Sequence, residues 1–273
     1  MLIPALIRRK AFKMLKKDWQ TALLLSFFAE IFITILQVVV LRLINEDFIF
    51  TLMAGEIPVI DVSQSKLIVL LTILAILISP VLRLGSAEYF IKRYLGETPP
   101  LTMLFSQIKN YFKALALFVI RALIITLWSA VPLMAIFALI NFRVLSGNAA
   151  SFLSPIFILP GLFAFVRYFN SPFIMVNENK GVLESLKQSK NLVKKREFPM
   201  FSMLAYFMLL EFAATWILGI FDASPVISLI LSQAVGLAIK AYYNISVAGM
   251  YCNLSNIDTI NVEDITRNNP PQI

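Results

Sequence analysis

Residues 151–197 read SFLSPIFILPGLFAFVRYFNSPFIMVNENKGVLESLKQSKNLVKKRE, an apolar segment followed by a polar and basic one. The apolar part contains the pair Pro160-Gly161, which predicts a break, then Arg167, and it ends near Pro172. About 20 predominantly apolar residues are enough for a helix to cross the hydrocarbon core of a membrane. The stretch therefore predicts a membrane-spanning helix and, after it, a basic amphipathic segment on one membrane surface.

The composition of the whole chain has the same character. The 273 residues are 59% hydrophobic, with a mean hydropathy of +0.81, which is more apolar surface than a soluble domain can bury. The net charge of +8 favours basic cytoplasmic loops over nucleic-acid binding. Histidine is absent and Cys252 is the one cysteine, which excludes a histidine-dependent triad and an intrachain disulfide. We expect no enzymatic activity, no cofactor, no metal site and no nucleic-acid partner.

Apolar segments recur six times along the chain, and basic residues follow a pattern between them. The connectors 91–113 and 177–198 are rich in lysine and arginine, whereas the loop 44–65 has four acidic residues and no lysine or arginine. Because basic residues mark cytoplasmic loops, the pattern predicts a multi-pass plasma-membrane protein with both termini in the cytoplasm. The predicted spans are 20–42, 66–90, 114–140, 152–176, 199–221 and 226–251.

The predicted fold class is all-α, an integral membrane bundle of six helices with three interfacial amphipathic helices. Residues 1–19 predict an amphipathic helix on the inner surface, attracted to anionic lipid by its lysines and arginines. Residues 20–253 form the six-helix domain. Residues 254–273, which end in NNPPQI, predict a flexible cytoplasmic tail.

Two connectors on the cytoplasmic side have apolar residues at helical spacing. In 98–113 Thr98 is placed to cap a helix and Pro99 suits its first turn. In 179–196 the same spacing is present but weaker. Both predict short helices on the membrane surface, and both could dock a cytoplasmic or membrane protein partner.

Seven ionisable residues fall inside the predicted spans. Each would cost about 2.5 to 3.5 kcal/mol at a helix centre facing lipid, so we expect them in the bundle interior or at an interface. Polar residues share their faces, for example Ser26 with Glu30 on the first span and Lys240 with Asn244 on the sixth. The seven are Glu30, Arg83, Glu88, Arg121, Arg167, Glu211 and Lys240.

Three interpretations of these charges stay open. Ion pairs, such as Glu211 with Lys240 or Arg121, would hold the helices together. An inward-facing polar cavity would instead bind an anion, a lipid headgroup or another substrate. Long side chains, mainly Arg83 and Glu88, would reach an interface. The candidate ligand-binding residues are Arg121, Arg167, Glu211, Lys240, Glu30 and Arg83.

A set of residues in fixed order between about 80 and 253 carries a resemblance to a known family. They are Trp128, Pro132, Pro160-Gly161, Arg167-Tyr168, Pro172, Leu183, Ser185, Ser189-Lys190, Leu192, Phe201, Trp216, Gly219-Ile220, Pro225 and Tyr242-Tyr243.

In these positions the sequence resembles domain of unknown function family 975, bacterial multi-spanning proteins similar to the membrane region of some glycerophosphodiester phosphodiesterases. The resemblance implies a bacterial six-helix membrane protein. It does not imply phosphodiesterase activity, which in those enzymes belongs to a separate soluble domain. The sequence departs from the family pattern around Lys195, where that pattern has a glycine before the basic residue.

The sequence leads to two functional hypotheses. The first is a non-enzymatic membrane protein that binds or moves a lipid or small amphiphile through an inward-facing polar cavity. The second is a membrane subunit or scaffold whose connectors 98–113 and 179–196 dock a partner, as in an export or immunity ATPase system.

Overall fold

The computed structural model describes residues 2–43, 62–142, 159–220 and 225–258, and these are helical with no strand among them. The 3-10 helix Leu101–Asn110 is called the first elbow. The α-helix Val182–Val193 is called the second elbow. The α-helices are α1 Leu2–Lys17, α2 Trp19–Leu43, α3 Val62–Tyr94, α4 Tyr111–Asn141, α5 159–168, α6 Ser171–Asn177, α7 Val182–Val193, α8 Glu197–Ile220 and α9 Pro225–Leu254.

Four helical stretches are long and apolar enough to cross a membrane, as in a membrane protein. They are Lys66–Tyr94, Leu101–Leu139, Leu159–Asn177 and Glu197–Gly219. They match the predicted second to fifth spans. The first and sixth spans coincide with α2 and α9, whose crossing stays a prediction. Most of the predicted outer loops 44–65, 141–151 and 222–225 and most of the tail 254–273 lie outside the described residues.

The described part of the fourth span, which begins at residue 159, is interrupted by a turn. Pro160 and Gly161 both lie in the continuous helix α5, and Gly161 packs directly against the Ser129 side chain. The helix stops at the turn 169–170, and α6 begins one residue before Pro172. A proline is tolerated in the first turn because its missing amide hydrogen has no helical acceptor there. Because α5 is described only from residue 159, a break just before Pro160 stays a prediction, and what the structure adds is that Gly161 is needed for close packing.

The first elbow is held against α3 by close backbone contact. Gly85 faces the main chain of Leu104, and a Cβ at position 85 would lie 2.8 Å from the Leu104 Cα. Next to this contact, the carboxylate of Glu88 accepts hydrogen bonds from Ser106 Oγ at 2.6 Å and from Gln107 Nε2 at 2.9 Å. Glu88 also pairs with Lys92. Glu88 therefore links the first elbow to α3, and its position relative to the interface stays a prediction.

The start of the first elbow also differs from the sequence prediction. Its first residue is Leu101, preceded by Pro100 in an extended conformation with no side-chain cap. Thr98 and Pro99 lie before the helix. The capping prediction is therefore wrong by about one turn, because a second proline extends the irregular segment.

The second elbow is tied to the fourth span at one hydrogen bond. The buried Ser189 donates its hydroxyl hydrogen to the main-chain oxygen of Arg167 at 2.8 Å. After the elbow the chain turns sharply: Lys195 has φ 68°, in the left-handed region. Glycine adopts this conformation without steric cost, whereas a residue with a Cβ does not.

Lys195→Gly should therefore stabilise the protein by about 0.5 to 1 kcal/mol. Glycine removes the left-handed strain of about 1 to 2 kcal/mol but adds about 0.4 to 1 kcal/mol of unfolded-state entropy. Thermal unfolding in detergent micelles measures the difference. The matched control is Lys194→Gly, because Lys194 has φ −54° and gains nothing from glycine. Equal or lower stability of Lys195→Gly than of Lys194→Gly would contradict the explanation.

The N-terminal helix α1 packs onto the ends of α8 and α9. Ile7 and Ala11 are fully buried, and the Lys10 ammonium pairs with Asp258 at 2.5 Å. The guanidinium of Arg8 lies 3.9 Å from the ring centroid of Tyr206. Anionic lipid at α1 stays a prediction, and its exposed basic residues are Arg9, Lys13, Lys16 and Lys17.

Candidate functional site

A cavity of about 270 Å³, called the polar cavity, lies where α2, α3, α4, α5, α6 and α9 come together. Four of the six predicted site residues line it: Glu30, Arg83, Arg121 and Lys240. The remaining wall is mostly aromatic and contains few other polar groups. It consists of Ala29, Ser86, Ala87, Phe90, Phe118, Phe165, Phe169, Pro172, Phe173, Tyr243 and Asn244.

Glu30 joins three helices through its carboxylate. Its Oε2 accepts a hydrogen bond from Arg83 Nη2 at 2.9 Å, and its Oε1 lies 3.7 Å from Lys240 Nζ. Each carboxylate oxygen therefore faces a cation from a different helix, α3 or α9. Arg83 is therefore held in an ion pair, as the first of the three interpretations of the sequence has it.

The polar stripes of α2 and α9 face each other, as their spacing predicts. One turn from the Glu30–Lys240 pair, Asn244 Nδ2 donates a hydrogen bond to the buried Ser26 Oγ at 3.4 Å. Ser26 and Glu30 are four residues apart, as are Lys240 and Asn244, so both pairs lie on matching helix faces. The two helices run in opposite directions, which brings Ser26 to Asn244 and Glu30 to Lys240.

Arg121 differs from the other cations of the polar cavity in having no acidic partner. Its guanidinium carbon lies 5.5 Å from the ring centroids of both Phe165 and Phe169. No carboxylate among the residues that the structure describes lies within 4 Å of it. Aromatic faces attract a cation but do not neutralise it. With three cations and one carboxylate in its lining, the polar cavity has a formal excess of two positive charges.

A groove of about 540 Å³, called the membrane groove, runs between α3 and α4. It shares Arg83, Phe118 and Arg121 with the polar cavity. Pro80 lies in its wall, and because proline lacks an amide hydrogen, the Ile76 carbonyl has no helical donor there. Beyond the shared residues its lining is mostly apolar: Thr72, Ala75, Ile76, Ser79, Pro80, Val119, Ala122, Leu123 and Ile125.

Arg167 lies outside the polar cavity. Its guanidinium pairs with Glu197 at 3.3 Å, across the turn that links the second elbow to α8. It lines a separate cavity of about 360 Å³ with Trp128, Tyr168 and Lys190. The prediction that Arg167 lines the same inward-facing cavity as Arg121 and Lys240 is therefore wrong.

Glu211 also lies outside the polar cavity. It is exposed on α8, and no ion pair of Glu211 exists within the described ranges. Lys240 pairs with Glu30 instead. The predicted pairing of Glu211 with Lys240 or Arg121 is wrong, because the polar face of α9 packs against α2 and not α8.

The aromatic part of the cavity wall was not predicted. Phe165 of α5 and Phe169, in the turn directly after it, are four residues apart, with ring centroids 5.3 Å apart. Phe169 also contacts Tyr243, a residue of the pair Tyr242-Tyr243 quoted for the family resemblance. The spacing of the two phenylalanines shows that they share a face, but the arginine beside them in the sequence is Arg167, so no local signal points to Arg121.

The helices and the polar cavity define a helical membrane protein with a positively charged interior site. Comparison of the chain with protein-family models, with curated proteins and with solved structures gives no match. The resemblance to family 975 therefore rests on the residues quoted for it and stays a prediction.

Proposed function

We propose that this protein is a non-enzymatic, multi-pass protein of a bacterial plasma membrane that binds an anionic amphiphile in the polar cavity. The observation that carries the proposal is the charge balance of that cavity. Three cations and one carboxylate line it, and Arg121 has aromatic rings for neighbours in place of a counter-ion. An uncompensated arginine inside a membrane is costly, and a bound anion would remove that cost.

The proposed topology has six spans, with α1 and both elbows on the cytoplasmic side. Three contacts near the helix ends support it: Lys10 with Asp258, Arg93 with the Met14 carbonyl, and Gly85 with Leu104. They bring together the start of the chain, the basic end of α3, the first elbow and the end of α9. This is the side that carries the basic connectors, which favour the cytoplasm.

The elbows are proposed to lie at the membrane surface. In the first elbow Phe105 is 55% exposed and Ile108 is 56% exposed, and Phe112 follows at 81%. In the second elbow Leu183 is 72% exposed, and Lys187 and Lys190 follow it along the helix. Exposed apolar residues beside lysines are typical of interfacial helices, whose apolar face enters the headgroup region.

The anion proposal predicts that Arg121→Ala lowers the amount of anionic lipid that remains bound to the purified protein. Loss of a charge-assisted contact worth about 1.5 to 3 kcal/mol reduces affinity by about tenfold or more. Native mass spectrometry of protein reconstituted with phosphatidylglycerol measures the occupancy. Arg167→Ala is the matched control, because Arg167 lies outside the cavity and pairs with Glu197. Unchanged occupancy in Arg121→Ala, or the same loss in both variants, would contradict the proposal.

A further inference from the structure

The membrane groove and the polar cavity are continuous with each other. Arg83, Phe118 and Arg121 belong to both linings, so Arg83 and Arg121 lie where the apolar groove meets the polar cavity. A water-soluble anion would need only the cations. The groove adds an apolar surface that an attached hydrocarbon chain would cover.

The depth of the groove can be estimated from the first elbow. Gly85, which contacts Leu104 of the elbow, is two residues from Arg83, or about 3 Å along a helix that rises 1.5 Å per residue. With the elbow at the membrane surface, Arg83 lies at headgroup depth. From Arg83 to Thr72, at the far end of the groove, is eleven residues, or about 16 Å. One leaflet of the hydrocarbon core is about 15 Å deep.

Two polar atoms in the wall of the groove have no partner. The hydroxyl of Ser79, which is 4% exposed, makes no hydrogen bond, and neither does the buried Nε of Arg83. They lie four residues apart on one face of α3. Buried polar groups normally have partners, so α3 carries unsatisfied hydrogen-bonding capacity beside the groove.

We infer that the ligand is a phospholipid with an anionic headgroup, which enters sideways from the elbow-side leaflet between α3 and α4. Its phosphate lies between Arg83 and Arg121, and one acyl chain lies along the membrane groove. The inference rests on the proposed function, since it takes the cavity cations as the headgroup site. It goes further in naming the ligand class, the leaflet and the path of entry.

The test blocks the groove without touching the cations. Ala122→Trp fills it from α4, and Ile76→Trp fills it from α3 as an independent second variant. Ala135→Trp is the matched control, because Ala135 is exposed on α4 and is not part of the groove lining. Two probes are used on each variant: phosphatidylglycerol in nanodiscs, followed by native mass spectrometry after transfer to detergent, and sn-glycerol 3-phosphate in solution, followed by calorimetry.

Retention of phosphatidylglycerol by the blocked variants should fall by about tenfold or more. Loss of burial of about two methylene groups in the lipid chain is enough for this decrease in affinity. Binding of glycerol phosphate by the blocked variants, and both bindings in Ala135→Trp, should equal those of the unchanged protein. Unchanged lipid retention in both blocked variants would overturn the lateral entry, while the result for Arg121→Ala would still stand on its own. Loss of both probes would overturn it too, because groove and headgroup site would then not be separate.

Discussion

Glu30→Gln should lower the free energy of unfolding by about 2 to 3 kcal/mol, because the only carboxylate in the cavity wall is lost. The Glu30 side chain is 18% exposed and faces both Arg83 and Lys240. Without it, three cations line one cavity and repel one another. A fully buried pair would lose about 3 to 5 kcal/mol, but the side chains of Arg83 and Lys240 are 37% and 36% exposed. Thermal or chemical unfolding in detergent micelles measures the loss.

Binding should change in the opposite direction to stability. Removing Glu30 raises the positive charge of the cavity, so retention of phosphatidylglycerol should stay equal or rise in Glu30→Gln. Glu211→Gln is the matched control, because Glu211 is exposed, and its stability should change by no more than about 0.5 kcal/mol. Equal destabilisation of the two variants would show that the position of Glu30 between two cations does not contribute to the free energy of unfolding.

Gly85→Ala should destabilise the protein by about 1 to 3 kcal/mol, the range for an overpacked contact. A Cβ at position 85 would lie 2.5 Å from the Leu104 carbonyl carbon, which is backbone and cannot rotate away. The first elbow must then move away from α3. This weakens the hydrogen bonds from Ser106 and Gln107 to Glu88. Thermal unfolding in detergent gives the stability, and faster hydrogen exchange of residues 101–110 identifies the displaced segment.

Gly236→Ala is the control for Gly85→Ala, since nothing lies within 4 Å of a Cβ added at Gly236. Alanine there should leave stability unchanged or raise it by about 0.5 to 1 kcal/mol, the usual gain inside a helix. If Gly85→Ala matched Gly236→Ala in stability and in exchange, the close contact at Leu104 would not hold the elbow.

Part of the candidate site could be predicted from residue spacing. Ser26 with Glu30, and Lys240 with Asn244, each lie one helical turn apart, and the structure joins these two faces. Such stripes are a local property, since the helical period alone determines which residues share a face. The cost of charge in lipid then requires those faces to point inward.

The partners of individual charges could not be predicted in this way. Arg167 and Arg121 both fall inside predicted spans, yet Arg167 pairs with Glu197 and Arg121 lies over two phenylalanines. Glu211, like Glu30, lies in an apolar predicted span, but its side chain is exposed on α8. An ion pair forms over about 4 Å, so it depends on which helices are neighbours and on their rotation, and neither is encoded in one helix alone.

The sequence by itself determined that the protein is apolar and helical, with segments long enough to cross a membrane, because these properties are sums over neighbouring residues. It also determined which face of each helix is polar. The tertiary structure alone decided that Glu30, Arg83, Arg121 and Lys240 meet in one cavity, and that α3 and α4 leave a groove beside it. The physical reason is that helix packing is decided by close contacts such as Gly85 with Leu104 and Gly161 with Ser129, between residues distant in the chain.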